Sequence, residues 1–219
     1  MLTTIRKREL EKMLISNNLA ELKKIARKGK NYEKEYLAKS ELCPAKILNI
    51  LIDSDEAYVV LYAAENKNLS IDSIQRVLSD KEYRYKEYFL KREDCPLEFL
   101  KIYADNPKFN LRGAVAKHPI ISIDMMKKFS KDPDERVRQC LALNENCPAD
   151  IIENLLYDEC GLVRILASEN RNITPEIMVE KVKRIGDDGN FLSIYKNFLD
   201  NPICPEEIKG ILKQRKYIF

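Results

Sequence analysis

The sequence predicts an all-α protein: an α-solenoid, wound as a right-handed superhelix, of about seven to eight two-helix repeats with a period of 26 residues. Three observations carry this reading. The dipeptide Cys-Pro recurs at positions 43, 95 and 147, two periods apart each time. Steps of 26 from Cys147 land on Ile121, Cys95, Leu69, Cys43 and Ile173, all small or apolar. The composition is that of a helical protein, with 6 Gly, no Trp, 45% hydrophobic and 33% charged residues in a chain of 219. A fixed period of this length is the mark of stacked supersecondary units.

Each unit reads as two helices. The residue after each anchor is Pro44, Ser70, Pro96, Ser122, Pro148 or Thr174. Pro suits a first helical turn because its missing N–H has no partner there, and Ser or Thr caps that turn through its side-chain oxygen. Apolar pairs follow four and five residues later: Ile47 and Leu48, Phe99 and Leu100, Met125 and Met126, Ile151 and Ile152, Ile177 and Met178. With Leu51, Val77, Tyr103, Phe129 and Leu155 they make one apolar stripe on helix A. Eleven residues past the anchor stand Ser54, Asp80, Asn106, Asp132 and Asp158, which read as the N-caps of helix B. Its core positions are then Val59, Tyr85, Leu111, Val137 and Val163, followed by Ala63, Phe89, Val115, Leu141 and Ala167. Polar residues such as Asn66, Asn144 and Asn170 close each unit. Helices this short are unstable alone, since nucleation costs more than so few bonds return. They hold only when adjacent units bury their stripes.

The residues Cys147, Pro148, Asp158, Val163, Arg164, Ala167 and Asn170, preceded by Val137, Arg138, Leu141, Ala142 and Asn144, carry a resemblance to the leucine-rich repeat variant group within the HEAT-like helical solenoids. That family's repeats are usually a little shorter. The resemblance implies an interaction scaffold. One described member holds an iron–sulfur cluster on N-terminal cysteines; no cysteine precedes Cys43 here, so no cofactor is carried over.

The expected organisation is a single domain over 1–219. Residues 1–16 form a capping helix with Ile5, Leu10, Met13 and Leu14 inward, and Asn17 or Asn18 caps the unit that follows. Residues 17–42 are a divergent first repeat, residues 43–203 the regular repeats, and 204–219 a last helix with the tail RKYIF. Between Ile173 and Cys204 the spacing is 31, which puts an insertion near 186–190. No apolar run suits a membrane span, and the charged start MLTTIRKRELEKML lacks the core of a signal peptide. A cytoplasmic location is expected.

Two surfaces stand out. Tyr58, Tyr62, Arg84 and Tyr88, with Tyr83 and Tyr85 nearby, have the composition of interface hot spots and of single-strand stacking surfaces. Lys86, Arg112, Arg138 and Arg164 align one residue past the core of helix B, one cation per unit. They either lock the stack through cap carboxylates and loop carbonyls or form a ridge for phosphates. Up to Lys39 the chain carries 11 Lys or Arg against 5 Asp or Glu, a net of +6, which reads as a solvated helical cap or else as a contact for nucleic acid or an acidic partner. The sole histidine, His118, falls in the register of the closing asparagines and reads as a capping residue. Cys43, Cys95 and Cys147 lie too far apart to bridge and read as free core thiols; no metal site is expected. With no phosphate-binding loop and no Ser/His/Asp set, the expected function is a non-enzymatic scaffold binding an unidentified protein partner. Nucleic-acid binding through the cationic row and the basic N-terminus is the alternative.

Overall fold

The computed structural model describes residues 2–185 and 192–214, and among these the chain is helical throughout, with no strand. The anticipated insertion at 186–190 and the tail RKYIF lie outside the described residues. The chain divides into two compact units, Met1–Phe99 and Leu100–Phe219. The first contains α1 (Thr4–Ile15), α2 (Leu19–Lys28), α3 (Asn31–Lys39), α4 (Ala45–Leu51), α5 (Ala57–Glu65), α6 (Ile71–Ser79) and α7 (Lys86–Leu90). Helix α8 (Leu97–Tyr103) runs from one into the other. The second continues with α9 (Phe109–Ala116), α10 (Ile123–Phe129), α11 (Glu135–Ala142), α12 (Ala149–Leu155), α13 (Gly161–Glu169), α14 (Pro175–Ile185), α15 (Leu192–Asp200) and α16 (Glu206–Lys213). In chain order the described helices make seven A–B pairs, α2/α3 to α14/α15, flanked by α1 and α16.

Like helices stack on like. Within each unit helix B of one repeat packs on helix B of the next, α3 on α5 and α5 on α7 in the first unit, α9 through α11 and α13 to α15 in the second. Helix A follows suit where α2 meets α4. The apolar stripes supply the dry contacts: Ile47, Leu48, Leu51, Val59 and Ala63 in one unit, and Val137, Leu141, Ile151, Ile152, Leu155, Val163 and Ala167 in the other, are buried.

Several expectations are corrected. Pro44, Pro148 and Pro205 stand at the N-cap itself, with extended backbone, rather than in the first turn. The residues eleven past the anchor are not the N-caps of helix B, which lie two positions later at Glu56, Lys108, Asp134 and Cys160. Instead their side chains accept the backbone N–H two residues on: Ser54 from Glu56, Asp80 from Glu82, Asn106 from Lys108, Asp132 from Asp134 and Asp158 from Cys160. They form the turn that aims helix B. Ile5 is 73% exposed rather than inward. It lies off the face of Leu10 and Leu14; Arg6 takes that face and reaches Glu33 at 2.6 Å. Of the two candidate caps, Asn18 accepts from Glu21 N, while Asn17 adopts a left-handed φ of 48°. Gly29 is obligatory, since a Cβ there would sit 2.5 Å from the Ile25 carbonyl oxygen.

Two rows of polar side chains fix the register between repeats. The first runs along the loops after helix B. Asn66 Nδ2 donates to the carbonyls of Ala38 and Ser40 at 2.8 and 2.9 Å. In the second unit Asn144 does the same to Ala116 and His118, and Asn170 to Ala142 and Asn144. Each amide thereby satisfies the terminal carbonyls of the preceding helix B, which have no partner inside their own helix. Each Oδ1 in turn accepts the N–H two residues on. A second asparagine assists: Asn68 donates to Glu41 and Cys43, Asn146 to Pro119, and Asn172 to Glu145 and Cys147. Where the register holds Arg92, its guanidinium reaches the equivalent carbonyls of Ala64 and Asn66. His118 keeps the other half of the pattern, its Nδ1 accepting from Ile120 N at 3.3 Å, so its ring proton sits on Nε2.

The second row lies at the opposite end of helix B. Arg112 forks onto Asp132 of the next repeat with two bonds of 2.8 Å and donates to its own turn at Asn106 O. Arg138 forks onto Asp158 at 2.7 and 3.0 Å and donates to Asp132 O. Arg164 donates to the carbonyls of Asp158 and Glu159. The carboxylates of Asp132 and Asp158 thus serve both their own turn and the preceding repeat. The pairing raises the Arg112 and Arg138 guanidinium pKa values above the ordinary range.

Cys43, Cys95, Cys147 and Cys204 are buried free thiols, while Cys140 and Cys160 are half-buried. Burial pushes the thiols of Cys43, Cys95 and Cys147 up to about 12.

These contacts set four expected outcomes. Asn144→Ala leaves buried carbonyls without a donor and should cost about 2 kcal/mol in urea denaturation. His118→Asn should be tolerated, since asparagine fills that register elsewhere. Arg138→Ala strands a buried carboxylate and should cost about 3 kcal/mol, whereas Arg171→Ala, whose pair with Glu145 is exposed, should cost under about 1 kcal/mol; equal losses would deny the Arg row its stacking role. At pH 8, still about 4 units below the raised thiol values, a thiol reagent should label at most Cys140 and Cys160, and all 6 cysteines only after denaturation.

Candidate functional site

The helix-B layer of the first unit carries two columns of side chains at steps of 26: Tyr32, Tyr58 and Arg84, the last in the turn before α7, then Tyr36, Tyr62 and Tyr88. On α3 and α5 the columns are four residues apart, which places them on one face. The five tyrosines are half-buried and Arg84 is exposed. Tyr58, Tyr62, Arg84 and Tyr88 were expected from sequence. Tyr32 and Tyr36 extend the columns by one repeat. They were missed because the first repeat diverges elsewhere, although a single step back from Tyr58 and Tyr62 finds them.

Cations and neighbouring rings hold these side chains. Lys39 Nζ lies 3.8 Å from the Tyr62 ring centroid, and Lys30 and Lys7 each lie 5.8 Å from those of Tyr32 and Tyr36. The Tyr36 hydroxyl donates to Glu11 at 2.9 Å, and burial together with that carboxylate pushes it up to about 12. Tyr88 stacks on Tyr85 with centroids 5.8 Å apart and planes 3° from parallel. Tyr83 packs edge-on to Tyr85 and to Phe89, and its hydroxyl donates to Ile52 O. Tyr85 was expected in the core and is not there. Helix α7 begins only at Lys86, so residues 83–85 form a turn instead of the first helical turn, with Tyr85 as N-cap. Its hydroxyl donates to Asp55 O at 3.3 Å.

Between the rungs of the second column lie two grooves. One, of about 530 Å³, is bordered by Lys39, Glu41, Tyr62, Glu65, Asn66 and Lys67. The next, of about 590 Å³, is bordered by Leu61, Glu65, Lys67, Tyr88, Lys91 and Glu93. They occupy equivalent places one repeat apart. Along this face Glu35, Glu65 and Glu87 balance Lys39, Arg84 and Lys91. Aromatic surface framed by cancelling charges binds by stacking and apolar contact, with ionic groups setting orientation.

The cationic row is placed differently. Lys86 is buried and donates to Lys81 O at 3.2 Å. Arg112 and Arg138 direct their forks into the stack, and Arg164 bonds turn carbonyls. His118 is buried in its loop. One charged residue was not anticipated. Lys181 of α14 is buried, donates to Leu156 O and lies 3.4 Å from the Tyr157 centroid. Burial, with Arg164 and Arg184 adding repulsion, pulls its amine down to about 7. Only its place in the stripe of α14, where an apolar residue is due, could have signalled this.

Among the described residues no helix is long and apolar enough to cross a membrane, and no three His, Cys, Asp or Glu side chains converge as a metal set. No family model matches the sequence, and no curated protein is significantly similar to it. A solved structure described as a leucine-rich repeat variant with a novel repetitive protein structural motif is similar, with a TM-score of 0.52 at 21% identity over 80% of this chain and 70% of that chain. The alternating short helices, the stacked B layer and this likeness together make the fold of the chain a helical repeat solenoid similar to the leucine-rich repeat variant.

Proposed function

We propose that the protein is a non-enzymatic scaffold that binds a protein partner along the helix-B face of its first unit, with Tyr58, Tyr62, Arg84 and Tyr88 at the centre. One observation carries this reading: two tyrosine columns recur in step with the repeat and stay half-exposed, where packing alone would bury them. Rings held by cations and by one another lose little freedom on binding, which is what makes tyrosine effective at interfaces. A reducing, cytoplasmic setting suits the buried free thiols. In this reading Lys86, Arg112, Arg138 and Arg164 are staples of the stack rather than contacts to a partner.

The alternative is nucleic-acid binding, favoured by the net +6 of the first 39 residues. It draws less support from the cationic row, because Arg112 and Arg138 are neutralised by Asp132 and Asp158. Affinity purification from the source cell with the wild-type chain and with Tyr88→Ala and Arg84→Ala separates the two. The expected result is a protein partner whose binding weakens at least about tenfold in the variants. Filter binding of single-stranded and duplex oligonucleotides at low and high salt should show no salt-sensitive retention; strong retention at low salt, lost at high salt, would replace the first reading by the second.

A further inference from the structure

The one-repeat offset and the lining of the two grooves narrow the class of segment they accept. We infer that they hold an extended, proline-rich segment of a protein partner in the polyproline II conformation, laid across α3, α5 and α7; this rests on the protein-binding reading and specifies its ligand.

Spacing comes first. Packed helices lie about 8–10 Å apart, and α3, α5 and α7 pack successively. A polyproline II helix advances about 9 Å in its three-residue turn. One residue per turn therefore meets the same feature of each successive repeat, and the grooves beside Tyr62 and Tyr88 are such features. The lining agrees. Each groove holds one ring fixed from the side, Tyr62 by Lys39 and Tyr88 by Tyr85. Fixed aromatic walls are what pyrrolidine rings dock against.

Charge complementarity sets the occupant's character. The exposed groove edges pair opposite signs at each rung, Lys39 with Glu41, Glu65 with Lys67, and Lys91 with Glu93. A polyanion would meet as many carboxylates as ammonium groups, so an uncharged stretch fits best. The backbone carbonyls of a polyproline II segment make no internal hydrogen bonds and find donors in the lysines. An amphipathic helix needs a continuous apolar groove, and Glu65 and Lys67 interrupt this one. A β-strand needs a sheet edge, and a wall of helices has none.

The test is fluorescence anisotropy with the full chain and a fluorescein-labelled peptide of repeated Pro-Pro-Leu triplets. A control peptide has glycine for every proline, and an oligothymidine serves as polyanion. Saturable binding of the proline peptide alone is expected. It should weaken at least about tenfold in Tyr62→Ala and Tyr88→Ala and persist in Tyr88→Phe, with circular dichroism showing all three variants folded. No saturable binding, equal binding of the glycine control, or indifference to both alanine variants overturns the inference. If the proline peptide fails while a protein partner still depends on Tyr88, the polyproline assignment falls and the protein-binding reading stands.

Discussion

The constraint on which everything else rests is that no repeat can satisfy the end of its own helix B. The last carbonyls of a helix have no partner within it, and a buried carbonyl without a donor is costly. Here the donor comes from the next repeat, through the amides of Asn66, Asn144 and Asn170 and through the guanidinium of Arg92. The apolar stripes make repeats adhere, but they would tolerate some sliding. A planar amide with two carbonyls to reach does not. The Arg112–Asp132 and Arg138–Asp158 pairs pin the opposite end of the same helix. A helix of about two turns is thus held at both tips by its neighbours, and its outward face is free to carry other residues.

That freedom is what makes a binding face possible. In the first unit this register of helix B holds half-buried tyrosines, while in the second unit it passes through the buried Ala114 and the half-buried Cys140. The polar contacts that fix the register lie at the helix tips, away from these positions. The distinctive surface therefore reflects what stands on the repeat rather than how the repeat is built.

The repeat and its stripes were legible in the sequence because burial imposes a period on the order of apolar and polar residues. The offset of the helix-B cap was not. Asp132 and Asp158 are good cap residues, yet they bond the N–H two residues on, and a turn of that kind looks the same as a cap in sequence. Tyr85 misled for a related reason. Its register was that of a core residue, but the hydroxyls of Tyr83 and Tyr85 find carbonyls at Ile52 and Asp55, which competes with forming the first helical turn. The cationic row was visible as a row; that the forks of Arg112 and Arg138 close on carboxylates depends on the fold.

Both polar rows have a direction. Asn144 reaches back to residues 116 and 118, and Arg138 reaches forward for Asp158. In each case a repeat is locked by the one that follows it in the chain. During synthesis, then, a nascent repeat emerges with its helix ends still open and is latched only when its successor clears the ribosome. The protein closes like a zip drawn from its amino end, always leaving the newest tooth unfastened.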